Sequence, residues 1–328
     1  MIAASIGGVF LGRASCIFTI LFGISFYIIL RKPDYGSGKF VWRCFLLMLI
    51  GLCVKVFYWP DALMWYGICG MVLVLFRNMS TKSIVISIII LYLLSYFVSL
   101  LKLGNVIYPQ VKDLSQIRYG QDATWSTALA MWPNAVEWYL NHVLNGGVFY
   151  TLANFAIGYL IGRLGWVETM DVRVNAKVVI YCFFIYLLFL AWAYLPKFVE
   201  YPMMDYLHFW ARSGRRLSGA FFYATALIWV YNHTRLRHAL SFFESYGRMG
   251  LTNYMMQSII GVVVMCHLGV AFLHLRFAYI ICGMFIFYLL QAIFSRYWLL
   301  RFKNGPMEYL WRCATEREWL PLKKASAK

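Results

Sequence analysis

Three polar residues interrupt an otherwise apolar segment in the C-terminal half of the chain. Asn253 and Gln257 are one helical turn apart, and His267 returns to nearly the same face of a helix. Two interpretations of this stripe are open. Either it lines a substrate pathway through a membrane, or its members form hydrogen bonds with neighbouring helices.

A dense group of charges is the second candidate for chemistry. It consists of Glu200, Asp205, His208, Arg212, Arg215 and Arg216. Guanidinium groups bind phosphate and carboxylate oxygens. The group is therefore either a solvated loop close to lipid phosphates or a site for an anionic or sugar acceptor.

Asp61 is an acidic residue in a tight connection, directly after Trp59 and Pro60, with Lys55 nearby. This position predicts a helix cap that forms a solvent-facing ion pair. The alternative is a buried acid that orients a catalytic base. Both interpretations place Asp61 between two apolar segments.

Arg248 follows Gly247 at the start of the segment that contains Asn253. The free N–H groups of a helix start, together with a cation, favour a phosphate or another anion. An arginine at this position is equally expected from the excess of basic residues on the cytoplasmic side of membrane proteins. The sequence does not decide between the two.

Signatures of soluble enzymes are absent from the sequence. It contains no Walker A loop, no GxSxG elbow, no HExxH motif and no dinucleotide fingerprint. The eight cysteines form no CxxC pair. We therefore expect free or buried thiols, and neither disulfides nor a metal site.

The elements that must position these residues are membrane-spanning helices. Of the 328 residues, 62% are hydrophobic and only 13% are charged, against about 25% in soluble proteins. The charges cluster between apolar runs of about 20 residues, the length that crosses a bilayer. The predicted fold is a single all-α, polytopic bundle over residues 1–328 with about nine spans, near 13–30, 41–58, 60–76, 83–101, 147–162, 177–195, 217–233, 250–273 and 277–298.

The distribution of Lys and Arg predicts the orientation of this bundle. Basic residues concentrate in alternate connections and in the C-terminal tail, which places the tail in the cytoplasm and the N-terminus outside. This bias explains the formal net charge of +17 without a nucleic-acid partner. Two long connections, about 102–146 and 196–216, then face outward, and the first contains an amphipathic interfacial helix marked by Trp125 and Trp132.

A family resemblance covers about residues 147–320. The segment GRMGLTNYMMQSI, from Gly247 to Ile259, resembles the signature of the domain-of-unknown-function 418 family. The segment FKNGPMEYLWR, from Phe302 to Arg312, is similar to the closing motif of that family. Family members usually open with one further span, which has no counterpart in this sequence, and a His that commonly precedes the equivalent of Asp61 is also missing.

The resemblance implies a distant kinship with multi-pass acyltransferases of bacterial plasma membranes. Such a protein would transfer an acyl group from cytoplasmic acyl-CoA, as co-substrate, to an envelope glycan or lipid, with no tightly bound cofactor. Arg248, Arg301 and Arg312 would then hold the CoA phosphates. The acceptor would be activated by a histidine; the candidates are His267 inside the membrane and, on the outside, His142, His208 and His274.

Two further functions compete with the enzyme. A transporter or permease would use Asn253, Gln257 and His267 as its pathway. A non-catalytic membrane partner would need none of these residues for chemistry. Whether the chain is an enzyme is therefore open from the sequence, as is its oligomeric state.

Overall fold

The computed structural model describes residues 12–32, 35–57, 61–107, 137, 140–170, 174–194, 204–261 and 277–324. Nearly all of these residues are helical or lie in turns, and they form one isolated antiparallel bridge, Phe302–Lys323. The prediction of an all-α fold is confirmed. In chain order the helices are α1 (Arg13–Leu30), α2 (Ser37–Phe57), α3 (Leu63–Leu73), α4 (Thr81–Leu101), α5 (Leu103–Ile107), α6 (Gly147–Arg163), α7 (Ala176–Tyr194), α8 (Met204–His233), α9 (Arg237–Ser241), α10 (Glu244–Arg248), α11 (250–261), α12 (Phe277–Arg301) and α13 (Pro306–Glu316).

Five of the described helices are long and apolar enough to cross a membrane. They are Arg13–Leu30, Ser37–Lys55, Thr81–Leu101, Ala176–Ala193 and Ile281–Arg301. Leu63–Asn78 is apolar but shorter. Large apolar side chains on α7 lie at the surface of the protein. Phe184 is 62% exposed and Leu188 is 67% exposed. Such surfaces indicate a lipid bilayer, where backbone groups must pair within each helix.

The other predicted spans differ from the helices in length or in composition. α6 contains only 17 residues. α8 contains 30 residues and begins at Met204, so the outward connection predicted for 196–216 is helical over its second half. The prediction was wrong there because the span is predicted from the apolar run 217–233 alone, whereas the helix begins before it and contains the three arginines. The total of nine spans remains a prediction.

The described residues divide into two compact units. The first unit contains α1, α4, α6, α7 and α8, and the second contains α2, α3 and α9 to α13. Each unit draws on segments that are far apart in the sequence.

The first unit is built around a close crossing of α1 and α6. A Cβ atom on Gly158 would lie 2.0 Å from the carbonyl oxygen of Ile20, and one on Gly23 would lie 2.1 Å from that of Phe155. The absence of side chains at both glycines lets the two backbones touch, as in other membrane helix pairs. Cys16, Ile24 and Ile161 form the core beside this crossing.

Polar groups gather at the two opposite ends of α1 and of the helices packed around it. At the end where α1 stops, Arg31 pairs with Glu168, and Arg77 donates a hydrogen bond to the backbone oxygen of Tyr35. At the end where α1 begins, Arg13 is 2% exposed and donates to the hydroxyl of Tyr186 at 3.0 Å. The first end contains basic residues that the sequence assigned to the cytoplasm.

The second unit holds the C-terminal helix α13 against α2. The indole N–H of Trp311 donates to the backbone oxygen of Arg43 at 3.0 Å, and the Arg43 guanidinium lies 4.0 Å from the centre of the Trp311 ring. Lys39 of α2 forms an ion pair with Glu316 of α13. The basic tail is thus a packed part of the fold up to residue 324 and not a free extension.

Candidate functional site

A polar cavity of about 380 Å³ lies in the first unit, at the end where α1 begins. It is enclosed by the end of α4, the segment that precedes α6, the first turn of α6 and the charged part of α8. Its polar lining comes from Ser95, Ser99, His142, Asn145, Tyr150, Arg212, Ser213 and Arg216. None of the described residues that line it is acidic. We call this space the polar cavity.

Two glycines place His142 in the wall of the polar cavity. Gly146 has φ +79°, a conformation that side chains disfavour, and its carbonyl accepts a hydrogen bond of 2.8 Å from the Ser95 hydroxyl. A Cβ atom on Gly147 would lie 2.1 Å from Cε1 of the His142 ring. The pair Gly146–Gly147 therefore turns the chain into α6 and leaves room for the imidazole.

The charges around His142 determine its protonation state. Burial lowers the pKa of His142 below its ordinary value, and the positive charge of Arg216 lowers it further. Burial and the neighbouring guanidiniums of Arg216 and Arg215 likewise lower the pKa of Arg212. The polar cavity thus combines a neutral imidazole with clustered cations, an arrangement that suits an anionic ligand and a proton acceptor.

The structure brings together some of the predicted residues of this region. Arg212 and Arg216, predicted as an anion site, line the polar cavity with His142. His208 belongs to α8, but its side chain lies outside the described residues, as do Glu200, His267 and His274. The sequence analysis placed His142 only among the outward options. Gly146 and Gly147, four and five residues later, are the local signal in the sequence. A side chain at position 147 would overlap the His142 ring.

Asp61 is a buried cap of α3. Its carboxylate accepts hydrogen bonds from the Met64 backbone N–H at 3.3 Å and from the Tyr254 hydroxyl at 2.8 Å. Burial raises the pKa of Asp61, and the hydrogen bond from Tyr254 opposes this rise. The predicted cap is present, but the prediction that Asp61 and Lys55 face solvent is wrong, since they are 1% and 3% exposed.

The amides of Asn253 and Gln257 take part in hydrogen bonds between α11 and α12. The Asn253 side chain donates to the Ser295 hydroxyl at 3.0 Å, and Gln257 donates to the side-chain oxygen of Gln291 at 3.0 Å. Gln291 in turn donates to the backbone oxygen of Asn253 at 3.2 Å. Both side-chain amides therefore form hydrogen bonds between helices. His267 lies outside the described residues.

The two signature segments meet at Thr252 and Glu308. The Glu308 carboxylate accepts hydrogen bonds from the backbone N–H of Thr252, at 3.0 Å, and from its hydroxyl. The Met307 N–H donates to the same hydroxyl at 3.1 Å. A Cβ atom on Gly305 would lie 2.2 Å from a carboxylate oxygen of Glu308. These residues cap α11 with the first turn of α13, so this part of the signature is structural.

The three arginines predicted to hold CoA phosphates all belong to the second unit. Arg248 ends α10, Arg301 ends α12, and Arg312 lies on α13. All three residues are exposed. Among the described residues, no group of three or more His, Cys, Asp or Glu could hold a metal ion.

Comparison with known proteins finds a family that matches the C-terminal part of the chain. Residues 161–318 match the family described as Protein of unknown function (DUF418). The chain is 26% identical to the uncharacterized protein YxaH of Bacillus subtilis, with 95% of this chain and 82% of YxaH covered. It is 27% identical to the uncharacterized protein YeiB of Escherichia coli, with 92% and 81% covered. No solved structure matches. The C-terminal part of the chain thus matches the DUF418 family, as the sequence resemblance indicated.

Proposed function

We propose that this protein is a bacterial plasma-membrane acyltransferase that moves an acyl group from acyl-CoA to a hydroxyl or amine of an envelope glycan or lipid. The observation that carries the proposal is the position of His142 beside Arg212 and Arg216 in the polar cavity. Under the predicted orientation this cavity is on the outer side of the membrane, where an envelope acceptor is found. The proposal therefore requires the pantetheine arm of cytoplasmic CoA to carry the acyl thioester across the membrane to His142.

The proposed reaction needs a general base and a cationic group that stabilises negative charge in the transition state. Neutral His142 accepts the proton of the acceptor hydroxyl as its oxygen attacks the thioester carbonyl carbon. The new C–O bond forms, the C–S bond breaks, and the CoA thiolate receives the proton back from the imidazolium. The cationic surroundings of the polar cavity stabilise the negative charge on the carbonyl oxygen in the transition state.

Binding of the donor is assigned to Arg248, Arg301 and Arg312. Their exposed guanidiniums in the second unit are suited to the phosphates of CoA. The measurement is the KM for acetyl-CoA, which Arg248→Ala should raise while kcat changes little, because uniform binding is lost. An unchanged KM would show that Arg248 is not part of the donor site.

The proposal is tested by transfer of label from radioactive acetyl-CoA to envelope extract by the purified protein in lipid. We expect the parent to transfer label and His142→Gln to lower the rate by about 10²- to 10⁴-fold, the usual contribution of a general base. His238→Gln is the matched control, since His238 is exposed on the short helix α9. Absence of transfer by the parent, or equal rates for the two variants, would reject the proposal.

A further inference from the structure

An apolar groove of about 500 Å³ opens in the same unit as the polar cavity. It lies between α1, α7 and α8, and its lining is almost entirely apolar. Ile17 and Leu21 come from α1, Val178 from α7, and Phe221 and Ala224 from α8. Because α1 and α7 are long and apolar enough to cross a membrane, we expect the groove to be exposed to lipid chains rather than to water.

Helix α8 contributes residues to both the polar cavity and the apolar groove. Arg212 and Arg216 line the cavity, and Ala220, Ala224 and Ile228 line the groove. These five residues follow one another at intervals of four, so each lies about 40° round the helix from the one before and only consecutive members are neighbours. Only about 6 Å of helix axis separates Arg216 from Ala220. A ligand with a polar head and an apolar chain would contact both sites where Arg216 and Ala220 are neighbours.

Small side chains make the groove wide enough for a chain. Ala220 and Ala224 stand on α8 where a larger residue would fill the space, and Cys182 contributes a small side chain from α7. The groove residues Ile17 and Phe221 pack against the core of Cys16, Ile24 and Ile161. The groove is therefore a depression in the helix bundle, and packed core residues lie beneath it.

The charge of the polar cavity selects the head group. Arg212 and Arg216 line it, and none of its described lining residues carries a negative charge. Two guanidiniums and several hydroxyls bind a phosphodiester through charge-assisted hydrogen bonds. A zwitterionic lipid would bring an ammonium group into the same cationic surroundings, which costs binding energy.

We propose that the first unit binds one anionic phospholipid, with its phosphate at Arg212 and Arg216 in the polar cavity and an acyl chain in the apolar groove. The inference deepens the proposed function, on which it rests for the identity of the acceptor: a lipid head group lies next to His142. Binding is measured separately from acyl transfer, so that the two ideas fail independently.

The test is binding of fluorescent phosphatidylglycerol to the purified full-length protein, with phosphatidylcholine of identical chains and free glycerol phosphate as competitors. We expect phosphatidylglycerol to bind at least about tenfold more tightly than phosphatidylcholine. Glycerol phosphate should compete poorly, because it has no chain for the groove. Equal affinity for the two lipids, or full competition by glycerol phosphate, would overturn the proposal.

Two variants address the two ends of the ligand. Arg216→Gln should remove the preference for phosphatidylglycerol, whereas Arg235→Gln, at an exposed position after α8, should retain it. Ala224→Leu should fill the groove and weaken binding of both lipids, whereas Ala191→Leu, at an exposed position on α7, should not. Tm values close to that of the parent establish that each variant folds. If Ala224→Leu and Ala191→Leu had the same lipid affinities, the acyl chain would not bind in the apolar groove.

The possible failures are distinguishable. Selective lipid binding without transfer of label to any acceptor would reject the acyltransferase and retain the lipid site. Transfer to a water-soluble glycan, with no preference for anionic lipid in binding, would retain the enzyme and reject the lipid site.

Discussion

At the scale of single residues, the surroundings of a polar group determine what it contributes. His142 lies near Arg216 in the polar cavity, and Arg216 together with burial keeps its imidazole neutral. Asp61 is buried as a helix cap under the hydroxyl of Tyr254. Thr252 and Glu308 hold the start of one helix to the first turn of another. The first of these arrangements suits proton transfer, and the other two stabilise the fold.

The lowered pKa of His142 predicts a loss of stability in acid. The unfolded chain has a histidine pKa of about 6.5, so the native state, with its lower pKa, binds fewer protons and is destabilised as the pH falls below that value. We expect the Tm of the parent to fall more between about pH 7.5 and about pH 5.5 than that of His142→Gln, which cannot gain this proton. Equal falls in Tm would contradict the buried, neutral imidazole.

The cap formed by Thr252 predicts a specific loss of stability in the second unit. Thr252→Ala removes the hydroxyl that Glu308 and the Met307 N–H share, and it leaves a carboxylate with fewer donors. The expected cost is about 1–3 kcal/mol of unfolding free energy. Unfolding in detergent micelles measures it, with Thr252→Ser as the control that retains the hydroxyl. If serine and alanine had equal effects, the hydrogen bonds would not be the cause.

At the scale of elements, close approach of helices defines the first unit. α1 and α6 touch through Gly23 and Gly158. Residues of α8 line both the polar cavity and the apolar groove. The hydroxyl of Ser95 on α4 anchors the turn that precedes α6. The position of His142 therefore depends on the packing of several helices and not on its own segment alone.

The crossing of α1 and α6 predicts opposite effects for two glycine substitutions. Gly158→Ala places a methyl group 2.0 Å from the Ile20 carbonyl oxygen, so the helices must separate, at a cost of about 1–3 kcal/mol. Gly283→Ala on α12 meets no atom within 4 Å and should be neutral or slightly stabilising, because alanine favours helix. Thermal unfolding of both variants in one detergent makes the comparison. Similar Tm values for the two would contradict the close crossing.

At the scale of the whole molecule, the two units combine segments that are distant in sequence. The first unit contains Gly12 to Tyr35 as well as residues up to 237, and the second contains α2 as well as the C-terminal tail. The family match, 161–318, covers parts of both units. Each unit therefore depends on N-terminal residues that lie before the matched region.

The orientation of the molecule is a prediction at this scale. If the chain crosses the membrane nine times, a reporter fused after Lys328 is cytoplasmic, and one inserted within residues 108–136 is outside. Alkaline phosphatase, active only outside, and a fluorescent protein, active only inside, measure the two positions. Phosphatase activity at the C-terminal fusion would contradict the predicted orientation and would move the polar cavity to the cytoplasmic side.

The sequence alone determined the class of fold and the positions of most helices. Apolar runs such as 13–30 and 83–101 coincide with α1 and α4, because a chain in lipid has to pair its backbone groups within each segment. The resemblance of its C-terminal half to the DUF418 family was also legible from two short motifs. These features depend on residues that are close together in the chain.

Only the tertiary structure decided which polar residues meet. Thr252 and Glu308 lie 56 residues apart, and His142 lines a cavity with Arg216 of another helix. It also decided that Asp61 is buried, although its connection resembles a surface turn. The physical reason is that contacts between helices depend on their rotation and mutual register. Local periodicity specifies which face of a helix is polar, but not which neighbour that face will contact.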